Sequence, residues 1–515
     1  LDLIDRQPLG LASAIGIDPK TSKGVANSRM RLHFMLEKDL TIDRVQVTAA
    51  SKMADVSVFG AIIGHDITNG ELELRADNKG MAVSGKVNLG TMPGTLEWQK
   101  SFDESAPILS TYVLRGAVSD AQIKRELGLD FAPFSEEFMQ GAIGTEIRWD
   151  VLATGQEKMT VTLDLSQASL TLPQFGWFKE PGVQGSAQIE LALKDEKVTE
   201  VSAFSIAAGD LTAQGSAAFD PQNGKLARVD LNRIAFGRTD VKGALIPGQD
   251  GGWTVAVHGP SFDFSPIFGS LFTLGAHAPA DDQPGPDLSF SIDLDQVWIG
   301  SGSQIKKVKG TLARRKDVWR AVRLDGNVGD EKAVKVVVEP TMGGNRLLTI
   351  LGDDAGDTLR TFGYYDNMVG GALNITGMFN DTITGSPLTG RMSVADFHIL
   401  KAPALTHLVS ILSLTGIVEA LQGNGLAFSE LEVPFIRHDG VISLMDARAN
   451  GISLGFTASG KIYSYSEIVD IEGTLVPAYA LNSVLGNIPV LGKIFSGGEK
   501  GGGIFAATYK ITGPT

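Results

Sequence analysis

A period-two alternation of apolar and polar residues is the feature that most constrains what this chain can fold into. In one such segment Val161, Leu163 and Leu165 alternate with polar residues, and the pattern recurs at 187–193 and 288–294. Side chains of a β-strand point alternately to opposite faces of the sheet, so this pattern predicts strands with one apolar and one polar face. The chain is rich in such segments and poor in helical periodicity.

Turn and glycine signals describe how these strands connect. The dipeptides Asn69-Gly70, Asp325-Gly326 and Asp439-Gly440 predict turns, and their short spacing favours antiparallel meanders over βαβ units. Glycine also recurs inside the alternating runs, where it marks a bulge, a bend or a close backbone approach and, when repeated, indicates regular curvature. Such glycines stand at Gly85, Gly215, Gly310 and Gly460.

These observations predict the fold class. A chain of 515 residues exceeds what one compact core normally holds. We therefore expect a mainly β protein, built as an elongated, twisted antiparallel β-sheet groove of the repeating β-groove type, with a few short helices. Helix signals lie at 120–127, 357–365, 403–421 and 479–495, and the last two segments are apolar.

Composition excludes several kinds of functional site. The chain has no Cys, which excludes disulfides, Cys-ligated zinc, iron–sulfur clusters and thiol catalysis. Its formal net charge of −14 is opposite in sign to that of a typical nucleic-acid-binding protein. The seven His residues lack the spacing of a helical zinc site, and no paired acid–base constellation stands out. We expect a noncatalytic protein with no cofactor, no metal site and no nucleic-acid partner.

Three local patterns have a structural and a functional interpretation. The segment 451–455 matches Gly-x-Ser-x-Gly, but it lies in alternating sequence without a following helix, which favours a connection between strands. Asp353, Asp354 and Asp357 lack calcium-loop spacing, and we interpret them as turn and helix-capping residues. A basic stretch at 306–323 is either a solvated strand face or a contact surface for anionic lipid headgroups.

A long sheet with one apolar face must either roll up on itself or expose a groove. An open apolar groove of that size would be a binding site, because soluble proteins rarely expose large apolar patches. Acyl chains suit such a groove because they need no hydrogen bonds. The alternation predicts that the lipid-groove lining includes Val161, Leu163, Leu165, Ile189, Leu191, Leu193, Phe290, Ile292 and Leu294.

The C-terminal third carries longer and more specific signals. These are the runs APALTHLVSILSLTGIVEALQGNGLAFSELEVPF at 402–435, GTLVPAYALNSVLGNIPVLGKIF at 473–495 and GGIFAATYKITGP at 502–514, with a lead-in at 358–373. Together they resemble the AsmA-like C-terminal region of the YhdP- and TamB-type superfamily. The resemblance is closest over residues 340–515. Upstream, only the glycine-punctuated strand style is similar, in the manner of the middle region of YhdP-like proteins.

This resemblance implies a periplasmic protein of Gram-negative bacteria, anchored in the inner membrane by a helix expected to precede Leu1. It also implies a β-groove that conducts phospholipids toward the outer membrane and no catalytic residues. The two apolar helices would contact a membrane or plug the groove end, or they would simply cap the last strands as a terminal core. Their candidate contact residues are Leu405, Leu408, Leu412, Ile417, Leu485, Ile488, Val490 and Ile494.

The sequence thus predicts three regions and leaves two functions open. The regions are β-groove repeats at 1–278, a linker with further groove strands at 279–340, and the AsmA-like region at 341–515. The first function is phospholipid transfer between the inner and outer membranes, with envelope proteins as possible partners. The second is an envelope assembly factor that handles outer-membrane proteins through the sheet edge or groove.

Overall fold

The computed structural model of the chain describes a mainly β protein. The described residues are 22–37, 44–62, 65–119, 121–122, 135–194, 197–248, 251–267, 286–315, 318–401, 406, 423, 425–464, 468–477 and 506–514. Within them the strands form a 28-stranded sheet, which confirms the predicted fold class of a large, mainly antiparallel β-sheet with few helices. The chain divides into two units, residues 1–237 with 242–246 and residues 238–241 with 247–515, called here the N-terminal and C-terminal units.

The N-terminal unit is an antiparallel meander. Each strand from β1 to β7 pairs with the next along the chain, β8 then pairs with β11, and β11 to β14 continue the series. The short strands β9 and β10 form a side ladder on β7. The bounds are β1 Ser22–His33, β2 Gln46–Ile62, β3 His65–Asp77, β4 Gly80–Leu89, β5 Met92–Ser101, β6 Ile108–Ser119, β7 Met139–Leu152, β8 Glu157–Asp164, β9 Ala168–Leu172, β10 Trp177–Lys179, β11 Gly185–Lys194, β12 Lys197–Ala208, β13 Leu211–Phe219 and β14 Leu226–Phe236.

Strand β15, Thr239–Pro247, contains two of the three points at which the two units divide, and the third lies between Gly237 and Arg238. The C-terminal unit continues with strands that pair in chain order from β16 to β28. Their bounds are β16 Trp253–Asp263, β17 Leu288–Trp298, β18 Gln304–Arg315, β19 Val318–Val328, β20 Lys332–Pro340, β21 Arg346–Gly352, β22 Met368–Phe379, β23 Leu388–Ile399, β24 Leu426–His438, β25 Val441–Gly451, β26 Leu454–Tyr463, β27 Ile468–Pro477 and β28 Ala507–Pro514. The region boundaries predicted after residues 278 and 340 stay predictions.

One pairing departs from the predicted antiparallel pattern. Strands β16 and β17 are parallel, with Val255 opposite Phe290 and Val257 opposite Ile292. Parallel neighbours need a connection long enough to return the chain to the starting end of the strand. Residues 264–287 supply that length, and they include the proline-rich stretch that the sequence singles out as a linker.

Helix α1, Ala355–Thr361, begins two residues before the predicted helix at 357–365 and ends four residues before its end. Its N-cap is Asp354, whose carboxylate accepts a hydrogen bond from the Asp357 backbone N–H at 2.9 Å, which confirms the helix-capping role predicted for Asp354. Of the segment 120–127 only residues 121 and 122 are described, and both are helical. The predicted helices at 403–421 and 479–495 lie outside the described residues except for Thr406.

Candidate functional site

The apolar side chains of the N-terminal unit align across its strands in three rows. Directly paired residues of neighbouring strands share a face of the sheet, so the strand register defines these rows. The first row is Leu74, Val83, Trp98, Tyr112, Trp149, Met159, Leu191 and Val201. The second row is Leu72, Gly85, Leu96, Leu114, Ile147, Val161, Ile189 and Phe204, and the third is Val87, Gly94, Gly116, Thr145, Leu163, Ala187, Ile206 and Ala213.

These rows form one continuous apolar surface on one face of the unit. Eight strands at a spacing of ~4.8 Å extend the first and second rows over about 34 Å. The clusters that bury the row residues are built from strand residues and from Leu165, which follows β8, among the residues that the structure describes. The residues of these clusters therefore pack against one another within the sheet, and many side chains of the rows stay partly accessible to solvent.

The centre of the first row is an aromatic stack. The ring centroids of Trp98 and Tyr112 lie 5.3 Å apart, and those of Tyr112 and Trp149 lie 5.1 Å apart. The indole N–H of Trp149 donates a hydrogen bond to the Glu157 carboxylate at 3.0 Å, which satisfies a buried polar group at the edge of the face. Sequence alone does not reveal this stack, because the three residues become neighbours only through the strand register.

The opposite face of the same strands is charged. The strand positions between the first and second rows point to this opposite face. There the register aligns Glu73, Ser84, Glu97, Val113, Arg148, Thr160 and Glu190. Arg115 forms ion pairs with Glu97 at 2.8 Å and Glu146 at 2.7 Å on this side. The two faces thus differ sharply in polarity, with Val113 as a buried exception on the polar side.

A buried lysine lies beside the third row. The Lys179 ammonium is nearly fully buried and donates hydrogen bonds to the carbonyl oxygens of Leu165 and Ala168, both at 2.8 Å, and of Glu180 at 3.2 Å. Burial lowers the pKa of Lys179, and the nearby Asp164 charge opposes this shift. These carbonyl contacts fix β10 against the connection that follows β8, so Lys179 positions the end of the apolar face.

The C-terminal unit carries a longer apolar row. The register aligns Val255, Phe290, Leu312, Val322, Val338, Leu348, Gly377, Gly390, Phe435, Leu444, Gly460, Ile471 and Ile511, one residue from every strand from β16 to β28. A second row on the same face runs through Val257, Ile292, Gly310, Leu324, Val336, Ile350, Ile375 and Met392. Apolar rows on one face of the sheet therefore recur in this unit.

The nine predicted lining residues lie on these apolar faces. Val161 and Ile189 are direct cross-strand partners, Leu163 and Leu191 lie in the adjoining rows, and all four are half-buried. Phe290 and Ile292 are also half-buried, on neighbouring rows of the C-terminal unit. Leu165, Leu193 and Leu294 are instead at most 4 % exposed and pack inside the clusters. The accessible part of the predicted lining is thus six residues, and contact with lipid stays a prediction.

The predicted membrane- or plug-contacting residues cannot be placed in the same way. Leu405, Leu408, Leu412, Ile417, Leu485, Ile488, Val490 and Ile494 all lie outside the described residues. Their role stays a prediction, as does the alternative that they cap the last strands.

The basic stretch at 306–323 and the Gly-x-Ser-x-Gly segment at 451–455 lie in strands and the connections between them. In the basic stretch, Lys307 pairs with Glu331 at 2.9 Å, Lys309 with Asp293 at 3.1 Å and Arg323 with Glu339 at 2.8 Å. This pairing supports the interpretation of a solvated strand face. Residues 452–453 connect β25 directly to β26, so the Gly-x-Ser-x-Gly segment has the strand context that the sequence predicts.

Comparison with known proteins gave no match among protein-family models, curated proteins or solved structures. No helix within the described ranges is long and apolar enough to cross a membrane. The part of the chain that the structure describes also contains no group of three His, Asp or Glu residues placed to hold a metal ion.

Proposed function

We propose that this chain is a noncatalytic lipid-transfer conduit of the AsmA-like type. It carries phospholipids between the inner and outer membranes along its apolar sheet faces, and it works in the periplasm with an anchor in the inner membrane. The localisation, the anchor and the identity of the lipid as phospholipid rest on the sequence resemblance. The fold contributes the physical basis for holding acyl chains.

The observation that carries the proposal is the set of long apolar rows, which are interrupted only by glycines and by Thr145. An acyl chain needs a continuous surface without polar groups that it would leave desolvated. The first row crosses eight strands, from Leu74 on β3 to Val201 on β12. The long row of the C-terminal unit crosses the strands from Val255 on β16 to Ile511 on β28. A catalytic pocket requires converging polar groups, whereas these rows provide an extended apolar track.

A pair of charge substitutions on one strand tests this proposal. Leu191→Lys places a cation in the first row, whereas Gln188→Lys places the same cation on the polar face of the same strand β11. Ile292→Lys and Ser291→Lys form the matching pair on β17. We expect only the apolar-face variants to lose co-purified lipid, measured against protein by mass spectrometry after circular dichroism confirms folding. Equal lipid content in all four folded variants would contradict the proposal.

A second function, assembly of outer-membrane proteins, is favoured by one observation. In the described part of the chain β1 pairs with β2 alone, and the side chains of Val25, Met30 and Leu32 on β1 are at least half exposed. An exposed strand edge of this kind can pair with an extended client segment. Photo-crosslinkers at Asn27 would capture unfolded outer-membrane protein if this function holds and would capture none if the chain serves lipids alone.

A further inference from the structure

A cavity on the polar face of the N-terminal unit is built from strands β1 to β6. Its volume is about 870 Å³, and it is open to solvent. The cationic side chains Arg29 and Arg31 on β1, Arg75 on β3 and Lys79 in the turn before β4 border it. Arg75 follows Glu73 at the next position on the same side of β3, so this cavity faces away from the apolar rows.

The register explains why there is room between the arginines. Arg29 is opposite Ala50, Ala50 is opposite Arg75, and Arg75 is opposite Ala82. Strand spacing places the Arg29 and Arg75 backbones about 10 Å apart, with only the Ala50 methyl group between them. Two long guanidinium side chains at that separation can converge on one small ligand above Ala50.

Most of the cationic side chains that border the cavity have no carboxylate partner. Elsewhere on this unit arginines are paired, as Arg115 is with Glu97 and Arg228 is with Asp230. Lys100 also borders the cavity and is engaged in an interaction of its own. Among the described residues, by contrast, no carboxylate forms an ion pair with any of the other four cations that border the cavity. They are Arg29, Arg31, Arg75 and Lys79.

One carboxylate, Asp77, borders the cavity, and its Oδ1 accepts the backbone N–H groups of Lys79 at 2.7 Å and Gly80 at 3.1 Å. It is therefore engaged in holding the β3–β4 turn. In a chain with a formal net charge of −14, a cluster of unpaired cations around a cavity is an exception that calls for an external anion.

We propose that this cavity binds a phosphate group. Guanidinium groups present planar pairs of donors that match phosphate oxygens, and several of them around one cavity favour a di- or tri-oxygen anion over chloride. The phosphate comes either from a lipid headgroup at a membrane surface or from a soluble phosphate compound. The site is independent of the lipid conduit proposed above, because it uses the opposite face of the sheet.

The test compares the full chain with a variant that loses two cations at the cavity and with a control that loses two cations elsewhere. The double variant Arg29→Gln/Arg75→Gln removes two arginines that border the cavity. The control Arg228→Gln/Arg233→Gln removes two cations from β14 instead. Ala50→Phe fills the space between the arginines without changing charge. All of these positions are exposed, so we expect each variant to fold, and circular dichroism checks this.

Calorimetric titration with inorganic phosphate and co-sedimentation with phosphatidylglycerol vesicles distinguish the sources. A soluble phosphate site binds inorganic phosphate, whereas a headgroup site binds the vesicles but not phosphatidylcholine vesicles of equal size. In either case we expect the Arg29→Gln/Arg75→Gln and Ala50→Phe variants to bind at least about tenfold more weakly than the unchanged chain. The β14 control should bind almost as well as the unchanged chain, and high salt should abolish binding. Absence of both kinds of binding, or equal weakening by the β14 control, would overturn the proposal.

Discussion

At the scale of single residues, one buried ion pair holds several strands of the C-terminal unit together. The Arg346 guanidinium makes two hydrogen bonds to the Asp381 carboxylate, at 2.8 and 2.7 Å, and a third to the Trp319 carbonyl oxygen at 2.8 Å. It also lies over the Phe379 ring, 4.3 Å from its centroid, and both members of the pair are less than a tenth exposed. Removing one partner would leave the other as a buried charge without its main partner.

We therefore expect Asp381→Asn to destabilise the protein by about 3 kcal/mol, the usual loss when one partner of a buried pair is removed. Asp325→Asn is the control, because Asp325 pairs with Lys335 at 3.6 Å on an exposed surface. That variant should change the free energy of unfolding by less than about 1 kcal/mol. Urea denaturation of both variants measures the difference, and equal stability of the two would refute the role of Asp381.

The same carboxylate predicts an acid dependence. Burial raises the pKa of Asp381, but hydrogen bonds from Arg346 and Ser386 and the charges of Arg346 and Arg320 outweigh burial, so its pKa lies below the ordinary value of 3.8. A carboxyl whose pKa is lowered by folding contributes stability above its unfolded pKa and loses it as pH falls through the folded pKa. Stability should fall below about pH 3.8, and less steeply in Asp381→Asn. Parallel acid unfolding curves would contradict this.

One in-strand glycine is required by the close approach of a neighbouring strand. A Cβ added to Gly310 on β18 would lie 1.9 Å from the Arg323 carbonyl oxygen on β19, whereas one added to Gly302 would meet nothing within 4 Å. We expect Gly310→Ala to lower the free energy of unfolding by about 1–3 kcal/mol, because the backbone must shift. Gly302→Ala serves as the control and should be neutral in thermal denaturation. A neutral Gly310→Ala would show that the strands separate at little cost.

At the scale of strands and helices, the aromatic stack joins β5, β6 and β7. Tyr112 lies between Trp98 and Trp149, so Tyr112→Ala removes two ring contacts and leaves a cavity. We expect a loss of about 3 kcal/mol and an altered tryptophan fluorescence spectrum. Tyr112→Phe keeps the ring and should lose less than about 1 kcal/mol. If alanine and phenylalanine behave alike, the stack does not stabilise these strands.

The strands themselves could be predicted because their signal is local. Alternation over a few residues sets which side chains share a face, and this is why Val161, Leu163, Ile189 and Leu191 lie on one face as expected. The rows could not be predicted, because they depend on register between distant segments. Trp98 and Trp149 become part of one stack only after β5, β6 and β7 align.

Turn signals were less informative than alternation. Asp439-Gly440 is the turn between β24 and β25, but the predictions of turns at Asn69-Gly70 and Asp325-Gly326 are wrong, because those dipeptides lie within β3 and β19. Asn69 has a φ of 51° at a shift in strand register, so it makes a bulge where the sequence predicts a turn. A dipeptide that accepts positive φ suits a bulge as well as a turn, and only tertiary pairing decides between them.

At the scale of the whole molecule, the central claim is that the apolar rows hold lipid. Each unit carries rows of apolar side chains on one face, and within the described residues strands supply most of the side chains that bury them. Long rows of partly accessible apolar side chains are a feature of interaction surfaces. Acyl chains would suit these rows, as proposed above, because they need no polar complementarity.

The most direct measurement is quantitative mass spectrometry of lipids that co-purify with the chain from a bacterial envelope in mild detergent. A washed sample of unrelated β-protein sets the background. If the apolar rows hold lipid, we expect several phospholipids per chain, and fewer in Leu191→Lys than in Gln188→Lys. A folded, β-rich protein that carries no lipid above background would contradict the claim and would mean that the apolar faces are closed by their own side chains.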